Sequence, residues 1–271
     1  MDMTAKAADG TEARAVDEGS GPVILVLHPG LDDGASWRKV AERLTPDYRV
    51  VRPHRRQYRL DLPPCTVAQE VEHVLAVVAA VGGGPVLVAG HSSGAVIALE
   101  AMVAAPSAFA GAVLYEPPAV IGPPLGGPHG EVHTRTRAAV AAGRPGRAMR
   151  IFVRDTVGLP AWAALLVDWF VSVSPRMRAL VPRQIEDNAA MDSLGVRLDA
   201  YAGISAPVVL LGGDRSPGHL GERLDALERV LPAASRVVLP GQGHSAHAKA
   251  PGEVAAVISG LAARVLPPTA G

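Results

Sequence analysis

Val86-Leu87-Val88-Ala89-Gly90-His91-Ser92-Ser93-Gly94 is the stretch that decides the fold. Its first four residues form an apolar run of strand length, and the residues from Ser93 to Ala105 carry helical patterning until Pro106 stops it. Between the two, Gly90 to Gly94 fit G-x-S-x-G. So tight a strand-to-helix turn strains the backbone at its centre, and glycine on either side lets the helix pack close to neighbouring strands. The turn holds the Ser92 side chain above the end of a strand. In a chain with 29 glycines the pentapeptide alone is a weak signal, and the plain alternative is a glycine-rich turn with a solvated serine. The strand before it and the helix after it give the motif its meaning.

Further short apolar runs bounded by Gly or Pro lie at Val23 to Leu27, Tyr48 to Arg52, Ala112 to Tyr115, Val208 to Leu211 and Arg236 to Leu239. Such runs are the pattern of parallel strands buried on both faces. Helical stretches alternate with them. Thr66 to Val81 opens with a capping box, Thr66 and Gln69, and ends at Gly82-Gly83-Gly84. Leu220 to Leu231 stops before Pro232, and Glu253 to Val265 is a further helix. The alternation predicts an α/β fold, a mostly parallel central sheet with helices on both faces.

One interval breaks the rhythm. Pro117 to Ala206 has helical patches at Arg135 to Ala142, Ala161 to Val171 and Arg176 to Asn188, no clear strand, and a Pro/Gly-rich entrance. The expected organisation is therefore a core made of 1–116 and 207–271, with 117–206 inserted as a helical lid.

Composition removes several classes of function. Of 271 residues 48% are hydrophobic and 19% charged, enough apolar mass for a sizeable core and too little charge for a disordered chain. Lys+Arg and Asp+Glu are 26 each, so no overall field draws the chain to nucleic acid or to an anionic membrane. The single cysteine, Cys65, rules out an intramolecular disulfide and any multi-cysteine metal cluster; as a thiol nucleophile it would need a nearby cation or helix start. With no secretory leader pattern and no run of 18 apolar residues, the expectation is a cytoplasmic chain.

A serine hydroxyl is a poor nucleophile until a base takes its proton, and the base needs a third group to orient it and stabilise its cation. His244 follows the run ending at Leu239, in Gly-Gln-Gly-His, and Asp214 follows the run ending at Leu211. In a parallel sheet both loops emerge at the same edge as Ser92. The order Ser, Asp, His, together with His28-Pro29-Gly30 after the run at Val23, resembles the α/β-hydrolase superfamily from about Ala15 to Leu266. The resemblance implies a catalytic set of Ser92, His244 and Asp214, with the backbone N–H groups of Gly30 and Ser93 as oxyanion hole and Leu31 as the alternative to Gly30. Relatives usually carry His-Gly where this chain has Pro29, which lacks an N–H and fixes φ.

Other residues compete for these roles. Glu116 directly follows the run ending at Tyr115, where some relatives place the acid, and His247 competes as base. His129 and His133 stand at i, i+4 but lack the H-E-x-x-H pattern, so no metal is expected. Arg52, Arg55, Arg56 and Arg59 either build a floor near the nucleophile or bind an anionic substrate tail. Trp162, Trp169 and Phe170 either line a pocket, with Leu31, or join helices of the insertion.

The reading that results is a cofactor-independent serine hydrolase acting on an ester, thioester or lactone of a small, fairly apolar molecule. The alternatives are a lyase, cyclase or perhydrolase on the same scaffold, or a ligand-binding module without turnover. The only partner expected is a small-molecule substrate, and the sequence leaves the oligomeric state open.

Overall fold

Every residue of the strand Val23–Leu27 (β3) is buried, as a strand covered on both faces requires. The computed structural model describes residues 1–267, which contain eight strands in one sheet. The others are Asp2–Lys6 (β1), Glu12–Glu18 (β2), Arg49–Pro53 (β4), Val86–His91 (β5), Phe109–Tyr115 (β6), Val208–Gly213 (β7) and Ala234–Leu239 (β8). Their order is β1-β2-β4-β3-β5-β6-β7-β8; β2 is antiparallel to both its neighbours, and the six strands from β4 to β8 run parallel. The sequence does not announce β1 and β2, because the edge strand β1 and its neighbour β2 are only partly buried and β2 reads EARAVDE.

Alternate residues of the central strands feed two cores. Leu25, Leu27, Val86 and Val88 pack with the helices Val67–Val81 (α2) and Ser93–Ala104 (α3), and Ile24, Val26, Leu87 and Ala89 with Arg38–Leu44 (α1) and Pro251–Val265 (α11). The predicted capping box forms: the Gln69 N–H donates to Thr66 Oγ1 at 3.2 Å, and the Thr66 N–H to Gln69 Oε1 at 3.1 Å. Gly94 is required by close approach, since a Cβ there would stand 2.4 Å from the carbonyl oxygens of Leu27 and His28.

Between β6 and β7 lie five helices, Glu131–Ala141 (α4), Pro145–Asp155 (α5), Ala161–Val173 (α6), Pro175–Leu194 (α7) and Leu198–Tyr201 (α8). Buried residues of α4 to α7, among them Val132, Met149, Ile151, Val171 and Ile185, form a third core cluster. Gly218–Val230 (α9) and the short Ala246–Lys249 (α10) complete the α-helices among the described residues.

Candidate functional site

Sheet register sets the heights of the site residues. His91 on β5 pairs with Tyr115 on β6, and Tyr115 with Leu211 on β7. Ser92 and Glu116 are thus each one residue past the same level, at the C-terminal ends of adjacent strands. Both have left-handed backbone, with φ of 53° and 45°, a strained conformation held by neighbouring strands. The Ser92 N–H donates to the Tyr115 carbonyl at 2.9 Å, and the Glu116 N–H to the Leu211 carbonyl at 3.0 Å.

Glu116 is the carboxylate that meets the histidine. His244 Nδ1 lies 2.6 Å from Glu116 Oε2, while Oε1 accepts the Gly213 N–H at 2.8 Å, and the Glu116 side chain is 1% exposed. This corrects the expectation for Asp214, and register supplies the reason. Strand β7 continues to Gly213, so Asp214 stands two residues, roughly 7 Å of strand, above the level of Glu116. The backbone beyond β7 is tied to the His244 loop by Arg215 N–H to Gln242 O at 2.8 Å, and the Asp214 side chain is exposed.

Tyr115 was missed by the sequence reading. Its hydroxyl donates to the Gly243 carbonyl and accepts the Ala246 N–H at 3.0 Å, bracketing His244. Its ring stacks on His91 at 4.4 Å, and His91 in turn lies 4.6 Å from the rings of both His244 and His247. His247 is buried and stacked on Trp37 at 5.4 Å with no carboxylate on its Nδ1, so it is a packing residue.

Burial holds His28, His73 and His247 down at about 4 and His91 well below its ordinary value of 6.5, the neighbouring imidazoles adding to the effect at His91. These rings are neutral in the folded chain. Below pH 6.5 the unfolded chain takes up protons that the folded chain refuses, so stability falls with pH until about 4. Thermal melts across that range are expected to show a steady drop in Tm, shallower in His91→Phe; a flat profile would contradict this assignment of charge.

The predicted oxyanion residues stand together. Gly30 and Ser93 line one cavity with Leu31, Ser92, His244 and His247, and among the described residues neither the Gly30 nor the Ser93 N–H donates to another group. Pro29 precedes these amides and so removes neither. A Cβ at position 30 would stand 1.9 Å from Gln184 Oε1 and 2.7 Å from the Tyr58 hydroxyl, so a larger residue there would have to displace the Gln184 side chain. No hydrogen bond joins Ser92 Oγ to His244 in the structure; both side chains are partly exposed to the cavity. The cavity has a volume of about 460 Å³, and its far wall is Leu125, Met149, Phe152, Val153 and Val157 from the insertion.

Beneath the site lies a buried ion cluster. The Arg55 guanidinium donates to Glu70 at 2.8 and 3.1 Å, to Asp187 of α7 at 3.1 Å, to Ser93 Oγ at 2.7 Å and to the His28 carbonyl at 3.2 Å. The Tyr58 hydroxyl donates to Asp187 Oδ2 at 2.7 Å. Asp187→Ala is expected to cost about 3–5 kcal/mol in a denaturant titration, because it strips a partner from a fully buried cation. Arg52, Arg56 and Arg59 pair with Glu18, Asp9 and Asp61, which places the arginines as a structural floor.

Several other candidates are not brought to the site. Trp162 and Phe170 are 67% and 54% exposed and, with Trp169, stay outside the cavity, contrary to the expectation that Trp162 and Phe170 touch substrate. His133 is held by Asp192 at 2.7 Å and His129 is exposed. Burial pushes the Cys65 thiol up to about 12, far from a thiolate. Among the described residues no helix is long and apolar enough to cross a membrane.

A sequence profile of the alpha/beta hydrolase family matches residues 24–257. Among solved structures, an alpha/beta hydrolase from Sphaerobacter thermophilus is 30% identical, with a TM-score of 0.78 over 92% of this chain and 98% of that one. A thermophilic esterase from Thermogutta terrifontis is 18% identical (TM-score 0.75, 98% and 100% covered). An esterase from Exiguobacterium antarcticum is 16% identical (TM-score 0.73, 96% and 99% covered), and these two are likenesses of fold. No curated protein matches the sequence.

Proposed function

Because this chain belongs to the α/β-hydrolase family, we propose that it is a cofactor-independent serine hydrolase that cleaves an ester, thioester or lactone of a small, largely apolar substrate. The observation that carries the reading is the 2.6 Å contact between His244 and the buried Glu116, beside a serine in left-handed backbone at the head of α3. In this mechanism Ser92 Oγ attacks the substrate carbonyl and His244 Nε2 takes its proton. Glu116 fixes the ring with Nδ1 protonated and stabilises the imidazolium. The N–H groups of Gly30 and Ser93 receive the charge that grows on the carbonyl oxygen. His244 then protonates the leaving group, and a water activated by the same ring frees the acyl-enzyme. The absence of a Ser92–His244 hydrogen bond fits a free enzyme whose catalytic hydrogen bond forms on binding substrate.

The insertion, residues 117–206, acts as the lid of this site in the same reading: α5 and α7 wall the cavity, keep bulk water from the acyl-enzyme and select an apolar substrate portion. The test is a fluorophosphonate probe followed by mapping of the label, together with turnover of p-nitrophenyl esters of increasing acyl length. Labelling of Ser92 with ester turnover is the expected result. Labelling without turnover of any ester, thioester or lactone would move the chain to lyase, cyclase or perhydrolase chemistry, and no labelling at all would overturn the reading.

A further inference from the structure

Helix α6 presents its large apolar side chains to solvent. Trp162, Leu165, Leu166, Trp169, Phe170 and Val173 are between 53% and 67% exposed, whereas the small Ala164 and the single Val171 are its buried residues. At 100° per residue the six exposed side chains fall on one arc of about 140°. Single exposed apolar residues are ordinary, but a contiguous patch of six on one helix marks a surface that is covered. The polar residues of α6 lie off this arc: Asp168 turns to Arg150 of α5 at 3.4 Å, and Ser172 lies with it.

Two features identify the cover. Trp162, Leu166, Trp169 and Val173 follow each other at steps of four, three and four, the seam along which one helix meets another, with Leu165 and Phe170 flanking it. The area fits as well. At about 200 Å² for a large side chain the exposed portions amount to roughly 600–800 Å² per copy, close to the ~800 Å² that each partner contributes to a stable standard interface. Charge then selects the orientation. Arg144, Arg147, Arg150 and Arg178 gather beside Asp168 and Ser172 in the C-terminal half of α6, whereas the loop leading into its N-terminus, Thr156 to Pro160, carries no charge. A parallel pair would set the arginine-rich ends side by side; an antiparallel pair sets each against the uncharged end of its copy.

We propose that the protein is a dimer in which α6 packs antiparallel on α6 of a second copy about a twofold axis near its middle. The interface is isologous and closed, so the contact ends at two chains. It stands independently of the proposed activity.

Sedimentation equilibrium over a range of concentrations tests this directly. The wild-type chain is expected at twice the chain mass, and Leu166→Arg and Trp169→Glu are expected to halve it while leaving the circular dichroism unchanged. In a Cys65→Ser background, mixing Trp162→Cys with Val173→Cys is expected to give an oxidised cross-link that Trp162→Cys alone does not form. A wild-type monomer at every concentration overturns the proposal, as does a dimer that survives both substitutions. So does a monomer that sediments with phosphatidylglycerol vesicles through α6, which would make the face a lipid contact.

Discussion

Ser92→Ala is expected to lower kcat for ester hydrolysis by about 10⁶-fold and to abolish fluorophosphonate labelling, with little change in Tm. The size of the effect follows from the mechanism: with no oxygen to attack, the base and its carboxylate have nothing to activate, and only binding and the two amides still assist water. Stability should hold, because the hydroxyl makes no hydrogen bond with another residue while the strained backbone is held by its own N–H bond to Tyr115. Single-turnover kinetics and a thermal melt on the same preparation check both halves. Residual activity within tenfold of wild type would place the nucleophile elsewhere.

Glu116→Gln should lower kcat by about 10⁴-fold, whereas Asp214→Asn should leave it within about twofold of wild type. An amide is nearly the same size as the carboxylate it replaces, so the cavity is preserved. What changes is the proton on His244. A neutral amide can present its NH₂ to Nδ1, favouring the tautomer that carries the proton on Nε2 and so cannot act as base toward Ser92. Asp214 is exposed and carries no contact to the ring. Steady-state kinetics on the two variants side by side decide the matter, and the opposite ranking would return the acid to the loop after β7.

The difference between these two carboxylates shows where sequence reading stops. Strands β3, β5, β6 and β7 are legible because each is buried on both faces and therefore spelled in nearly unbroken apolar residues. Gly30, Ser92 and Ser93 each follow such a run closely, while His244 lies past the half-exposed edge strand β8 and is marked instead by its Gly-Gln-Gly-His loop. The acid is not legible, because register between neighbouring strands leaves no mark in a run of valines and leucines. Glu116 follows β6 as closely as Ser92 follows β5, and that equal offset was the available signal.

Helix α5 lies between the helical patches legible in the insertion, and its Pro145 suits the first turn of a helix. Helix α6 is legible as a helix, but it is apolar nearly all round, so its pattern gives no direction: Trp162 and Phe170 neither line the cavity nor join helices of the insertion but face outward. Asp187, more than a hundred residues from Arg55, has no sequence signature at all.

That last pair has a consequence for how molecules reach the serine. Pulling α7 off the platform would bare the Arg55 charge at a penalty of about 3–5 kcal/mol, so fewer than roughly one molecule in a hundred would be found that way at any moment. Asp187 thus ties α7 to the sheet platform along one side of the cavity. In the proposed lid, traffic to the cavity would fall to the stretches without regular helix that also line it, Pro118 to Leu125 and Thr156 to Val157, rather than to a swing of α7.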